Sequence, residues 1–172
     1  MQEVIALFSG CRFSQLSNCP PDARAALKGS PAQPKLRGTV DFYQRKDGVL
    51  LVAEVWGLPA PVTSCAVPIF ALHIHEGGSC TGTAEDPFAN AGAHYNPELC
   101  PHPAHAGDLP PLFGNCGYAF LAVFTNRFSI NDVLGRTVII HSEPDDFKTQ
   151  PAGNAGEKIA CGIIRSFRKR SR

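Results

Sequence analysis

No stretch of this 172-residue chain comes near the roughly 20 consecutive apolar residues that a membrane-spanning helix needs, so no membrane span is expected. An excess of charge is missing too: 16 Lys and Arg face 15 Asp and Glu, a formal net charge of +1 that names no partner, and no nucleic acid is expected. None of the seven cysteines lies in a CxxC pair, and their odd number leaves at least one free or paired between chains. There is no internal repeat and no low-complexity tract. A convincing secretory leader is also lacking: the apolar stretch Val4 to Phe8 is short, and Glu3 stands where a basic residue is usual. The expectation is therefore a cytoplasmic protein with reduced thiols by default, the alternative being an exported or cell-surface one.

What is abundant is turn chemistry. Sixteen Gly and 15 Pro in 172 residues favour many short strands over long helices. Residues 1–35 read as an N-terminal extension, because Pro20-Pro21 and Pro31 to Pro34 interrupt any long element. The extension is expected to be partly irregular or to hold a short helix over Asp22 to Leu27, with Pro21 or Asp22 near its start. From Gly38 the pattern turns to strands. Thr39 to Gln44 and Val49 to Trp56 flank the turn Lys46-Asp47-Gly48 as a hairpin. Phe70 to His75, Tyr118 to Thr125, Arg136 to His141 and Cys161 to Phe167 are further strands. Short strands with Gly/Pro connections suggest one all-β antiparallel sandwich or barrel over residues 36–167, followed by a basic tail at 168–172. Residues 76–117 and 142–159 look irregular, and loops of that length in a small domain are usually functional or disordered.

Both loops begin at or beside histidines. In Phe70-Ala71-Leu72-His73-Ile74-His75 the alternation of a strand sends Phe70, Leu72 and Ile74 to one face. It places the His73 and His75 imidazoles about 7 Å apart on the other face, a spacing that suits two ligands of one ion. His94, His102, His105 and Asp108 follow in a proline-rich loop. Three imidazoles and a carboxylate make a suitable tetrahedral zinc set. His141 closes the apolar run Val138-Ile139-Ile140 and supplies a further nitrogen, and four imidazoles suit Cu(II). Six histidines and one aspartate are seven groups, whereas two four-ligand sites need eight. The difference vanishes if one imidazole serves both ions, having lost both ring protons.

These residues lie in a series of motifs: His73-Ile74-His75-Glu76, Gly92-Ala93-His94-Tyr95-Asn96-Pro97, His105-Ala106-Gly107-Asp108-Leu109, Gly135-Arg136-Thr137-Val138-Ile139-Ile140-His141, and Gly153-Asn154-Ala155-Gly156-Glu157-Lys158-Ile159-Ala160-Cys161-Gly162. In this order, over Gly38 to Ile164, they closely resemble the copper–zinc superoxide dismutase family. The resemblance implies a Greek-key antiparallel β-sandwich or flattened barrel with two long functional loops, an architecture of which this family is itself a standard example. It implies copper held by His73, His75, His94 and His141, and zinc held by His94, His102, His105 and Asp108, so that His94 is the shared ligand. Asp145 would link His73 to His102 and set their tautomers. Cys80 and Cys161 would form an intramolecular disulfide, worth roughly 4–5 kcal/mol in the chain-entropy model. Cys100 and Cys116 match no motif and are left either paired or as two thiols.

The implied reaction is disproportionation of superoxide to O2 and hydrogen peroxide, by alternate reduction and oxidation of copper, with His94 carrying a proton. A cation beside copper should attract the anion. The family has arginine at that place, and this chain has Lys158, which keeps the charge and loses the planar fork of donors. Two other classes remain open on the residues alone: a copper or zinc buffer without turnover, and a structural zinc domain with an empty copper site. A homodimer is compatible with the resemblance, though no residue decides it.

Overall fold

The computed structural model describes residues 19–60, 63 and 65–167. The apolar stretch near Val4, Cys11 and the basic tail 168–172 lie outside the described residues.

The long strands follow from period-2 patterning. In β3 (Gly48–Trp56), Val49, Leu51, Ala53 and Val55 are fully buried, while Leu50, Val52 and Glu54 alternate on the other side. β2 (Arg37–Arg45) pairs with β3 through the Lys46-Asp47 turn and adds Val40 and Phe42 to the same interior. β7 (Tyr118–Thr125) lies along the other side of β3. The remaining strands of the main sheet are β1 (Ala23–Gly29), β5 (Leu72–His75), β8 (Thr137–His141) and β9 (Lys158–Ser166). Their order is β5-β8-β9-β1-β2-β3-β7, and every neighbouring pair is antiparallel. Two short strands, β4 (Ile69–Phe70) and β6 (Leu112–Phe113), form a separate pair, and α1 (Ile130–Val133) is one helical turn. After β3 the chain crosses to the far edge for β5, returns beside β3 for β7, and crosses again for β8. These crossings are the expected Greek-key pattern. A sheet with one apolar face has to curl around it, and Phe42, Leu51, Leu72, Ile74, Leu112, Ile140 and Ile164 meet in a single core.

Three expectations need correction. The helix expected over Asp22 to Leu27 is strand β1. It sits in the middle of the sheet between β9 and β2, so the barrel starts at Ala23 and the extension does not run to residue 35. The alanines favour a helix locally, but Ala23, Ala25 and Leu27 also alternate, and all three are buried. Two flanking ladders outweigh intrinsic propensity. Arg24, on the outward face, forms a two-pronged ion pair with Asp41 of β2. The strand expected over Phe70 to His75 divides at Ala71, whose N–H donates to the Glu143 carbonyl and whose carbonyl accepts from His141 N–H, both at 2.9 Å. The last strand begins at Lys158, three residues early, because β8 pairs with it as far as His141 across a bulge.

Replacing Ala25 with proline tests the position of β1. It removes a ladder hydrogen bond and leaves a buried carbonyl unpaired, so urea unfolding should show a loss of more than about 2 kcal/mol. An unchanged midpoint would mean that this segment is dispensable.

Candidate metal centre

β5 carries the first two histidines. Leu72 and Ile74 enter the core, and the His73 and His75 rings stand on the opposite face with centroids 6.4 Å apart. That face is not open to solvent: His73 and His75 are 0% and 2% exposed. The long loop after β5 folds back along the strand's outer edge. Ile74 N–H donates to the Gly107 carbonyl at 2.9 Å, and Tyr95 N–H donates to the Ile74 carbonyl at 2.8 Å. Isolated bridges set His94 opposite His75 and Asp108 opposite His73. On the other side β8 pairs with β5, which places His141 beside both. The loop therefore reaches the site through backbone bonds that β5 would otherwise leave unmade.

Two quartets result. His73, His75, His94 and His141 converge so that one donor atom from each lies within 4.8 Å of the others, and His94, His102, His105 and Asp108 do the same. All seven side chains are buried, and His94 belongs to both groups. The outer nitrogens have protein acceptors. His73 Nε2 donates to Asp145 at 2.9 Å, His75 Nδ1 to the Gly92 carbonyl at 2.8 Å, and His141 Nδ1 to the Gly156 carbonyl at 3.3 Å. Each bond puts the ring proton outside and leaves a lone pair facing inward. His102 Nε2 likewise donates to Asp145 at 2.9 Å. His94 Nδ1 lies 2.8 Å from Asp108 Oδ1, which leaves its Nε2 for the first quartet.

Among the described residues, four buried ring nitrogens have no hydrogen-bond partner: His73 Nδ1, His94 Nε2, His102 Nδ1 and His105 Nδ1. His102 and His105 Nδ1 lie 3.1 and 3.2 Å from Asp108 Oδ2, close but without hydrogen-bond geometry. Buried polar atoms are rarely left so. Lone pairs gathered in this way fit cations: four nitrogens in one group suit copper, and three nitrogens with a carboxylate suit zinc. Burial, reinforced by the neighbouring imidazoles, pushes His75 down to about 2 and His141 down to about 3. At neutral pH both are the unprotonated bases that a metal requires.

Asp145 ties the quartets together from outside. One oxygen accepts from His73, and the other accepts from His102 and from Phe147 N–H. Burial alone would raise its pKa, but these donors hold the carboxyl well below the usual range. Gly153 makes room for it: at φ +67° it is left-handed, and a Cβ there would overlap the Asp145 carboxylate and approach His102 Nε2. Two residues that sequence reasoning does not single out hold the loop backbone. Gln150 accepts from His102 N–H and donates to its carbonyl, and Arg127 donates to the carbonyls of His105 and Asp108 at 3.2 and 2.9 Å. Their partners are main-chain atoms, which leave no trace in residue types.

Cys80 and Cys161 are joined as a disulfide, with a sequence separation of 81. Cys100 and Cys116 are not joined. The first quartet borders a cleft of about 870 Å³, reached by His75, His94 and His141. Lys158 stands on its wall, and its charge helps to lower His141. Its ammonium forms an ion pair with Asp86 at 2.5 Å, a partner that no sequence motif names.

The family model of copper/zinc superoxide dismutase (SODC) matches residues 36–164. The chain belongs to this family. A relative from Aquifex aeolicus, "Superoxide dismutase [Cu-Zn] 2", is 31% identical over 96% of this chain and all of its own length. The "Superoxide dismutase [Cu-Zn]" of Deinococcus radiodurans is 34% identical, covering 86% of each chain. The solved copper/zinc superoxide dismutase from Brucella abortus superimposes with a TM-score of 0.67 over 82% of this chain and 98% of its own. At 23% identity it speaks for the fold. The protein is thus an oxidoreductase that disproportionates superoxide, with copper and zinc as cofactors. Among the described residues no helix is long and apolar enough to cross a membrane.

The depressed histidines make a pH prediction for the metal-free protein. A group whose pKa is lower folded than unfolded stabilises fully above its unfolded value, near 6.5 for histidine, and loses that contribution as pH falls towards the folded value. Chelator-stripped protein should therefore lose stability from about pH 6.5 down towards about 3. His75 and His141 both act in this direction, so the loss should steepen as pH falls below about 6.5. Denaturant midpoints that stay flat from pH 7 to 5 would contradict it.

Proposed function

We propose that His73, His75, His94 and His141 hold copper, that His94, His102, His105 and Asp108 hold zinc, and that superoxide is disproportionated on the copper side through the cleft. The membership of His94 in both quartets, with one ring nitrogen for each, carries this reading. Copper, when bound, supplies the one-electron chemistry that oxidises one superoxide to O2 and reduces a second, with two protons, to hydrogen peroxide. The chain does the rest. His73, His75 and His141 present lone pairs fixed by their outer hydrogen bonds. His94 Nε2, buried and without a protein partner, is the atom that takes up and hands on a proton at the cleft. Asp108 and the zinc loop hold the other side of the His94 ring. Asp145 keeps His73 and His102 in matching tautomers. Lys158 supplies the positive charge that draws the anion in.

Protein loaded with both metals should bind one copper and one zinc per chain and consume superoxide. Full occupancy without turnover would favour a metal buffer, and zinc alone after copper supply would favour a structural domain. Asp108→Asn should lose zinc at least tenfold while keeping copper, measured by metal analysis after dialysis. Lys158→Arg should raise the rate several-fold, since a planar fork both attracts and orients the anion. An unchanged rate would mean that the fork adds nothing to the charge of Lys158; an unchanged ionic-strength dependence in Lys158→Ala as well would remove Lys158 from catalysis.

We also propose a homodimer. The outward row of Leu50, Val52, Trp56, Ala122 and Phe124 on β3 and β7, interrupted by Glu54, supports it as a mainly apolar face, and sedimentation tests it. A cytoplasmic residence is proposed with export as its alternative, and the Cys80–Cys161 bond is compatible with both. Cell fractionation decides between them.

A further inference from the structure

The cleft over the first quartet is the proposed entry for a small anion, yet its charges run the other way. Among the described residues its lining carries four carboxylates, Glu76, Glu85, Asp86 and Glu157, and a single ammonium, Lys158. That ammonium is itself bound to Asp86. The contact is between residues 72 apart in sequence, and the fold brings them together by a specific route. The Cys80–Cys161 disulfide fastens the loop after β5 to β9, three residues from Lys158. Within that loop Asp86 is the centre of a small turn. Its carbonyl accepts from Thr83 and Ala89 N–H, its own N–H donates to Thr83 Oγ1 at 3.1 Å, and its Oδ1 accepts from Phe88 N–H at 3.1 Å. The second oxygen, Oδ2, is left to receive Lys158. The carboxylate is therefore aimed by the loop, and the lysine, a flexible stem with a compact charge, is the partner that adapts.

We propose that Asp86 is a positioning residue for Lys158: it pins the ammonium to the cleft wall and offsets its charge, and so sets how strongly the copper face attracts anions. The inference rests on the role of Lys158 proposed above. It also shows what the Lys-for-Arg departure changes. A lysine held by Asp86 has its one compact charge already engaged. An arginine could give one edge of its fork to Asp86 and keep the other for the anion.

The variant to test is Asp86→Asn. The asparagine carbonyl can still accept from Phe88 N–H, so the turn is retained, while the negative charge facing Lys158 is gone. In copper- and zinc-loaded protein, azide titrated at low salt and followed by the copper absorption band should bind about threefold or more tighter in Asp86→Asn than in the parent. The rate of superoxide consumption should also fall more steeply with ionic strength. The double variant Asp86→Asn/Lys158→Gln should bind azide no more tightly than Lys158→Gln alone. Equal gains in both backgrounds would mean that Asp86 acts as bulk charge, which overturns the proposal. A readout independent of copper keeps the two readings apart. In zinc-only protein, acetylation of Lys158 by a limiting acylating reagent, mapped by mass spectrometry, should run several-fold faster in Asp86→Asn. Unchanged labelling together with unchanged azide affinity overturns the pair. Faster labelling in a protein that takes up no copper would uphold the pair and contradict the copper assignment.

Discussion

One imidazole with two neighbours is the constraint around which this molecule is arranged. His94 must present Nδ1 to a carboxylate-containing group and Nε2 to a nitrogen-rich one, so both groups have to approach within one ring's width. That requirement explains why the irregular loop is bonded to the edge of β5 at Ile74 and not merely draped over it. It also explains why Asp145 touches a histidine from each quartet: rings that share a partner on one side must not drift on the other. Holding so many imidazoles out of water is costly for the chain alone. The cost is offset when lone pairs that have no protein partner receive a cation, and in this sense metal binding and folding are coupled.

The barrel supplies rigidity and the loops supply chemistry. Strands β5 and β8 contribute three of the six histidines from the most buried part of the sheet, and the other three come from a loop. That loop has little regular structure, so its order comes from particular contacts: the pairing with β5, the Arg127 and Gln150 bonds to its carbonyls, and the disulfide. Each is a tertiary contact, so the site should be no more stable than the barrel beneath it.

Much of this is legible in the residues, for physical reasons that differ from part to part. β3 and the His73–His75 pair are readable because a strand with one buried face must alternate. The count of seven groups for eight positions points to a shared ligand before any fold is known. β1 reads as a short helix or irregular segment because Pro21 and Asp22 resemble a helix start, and only the gap between β2 and β9 makes it a strand. The histidine face of β5 is buried because its cover comes from loops whose position no local pattern encodes. Asp86 is invisible for the same reason. Nothing in its neighbourhood marks it out until the disulfide carries it to Lys158.

Whether His94 joins the two ions decides how the whole site is organised. The most direct measurement is the spin-resonance spectrum of protein carrying Cu(II) in the first quartet and a paramagnetic ion, Co(II), in place of zinc. If His94 is shared, the two spins couple through its ring, and the copper signal seen with diamagnetic zinc should be lost or strongly broadened. A copper signal that stays the same with either ion would contradict a shared imidazole.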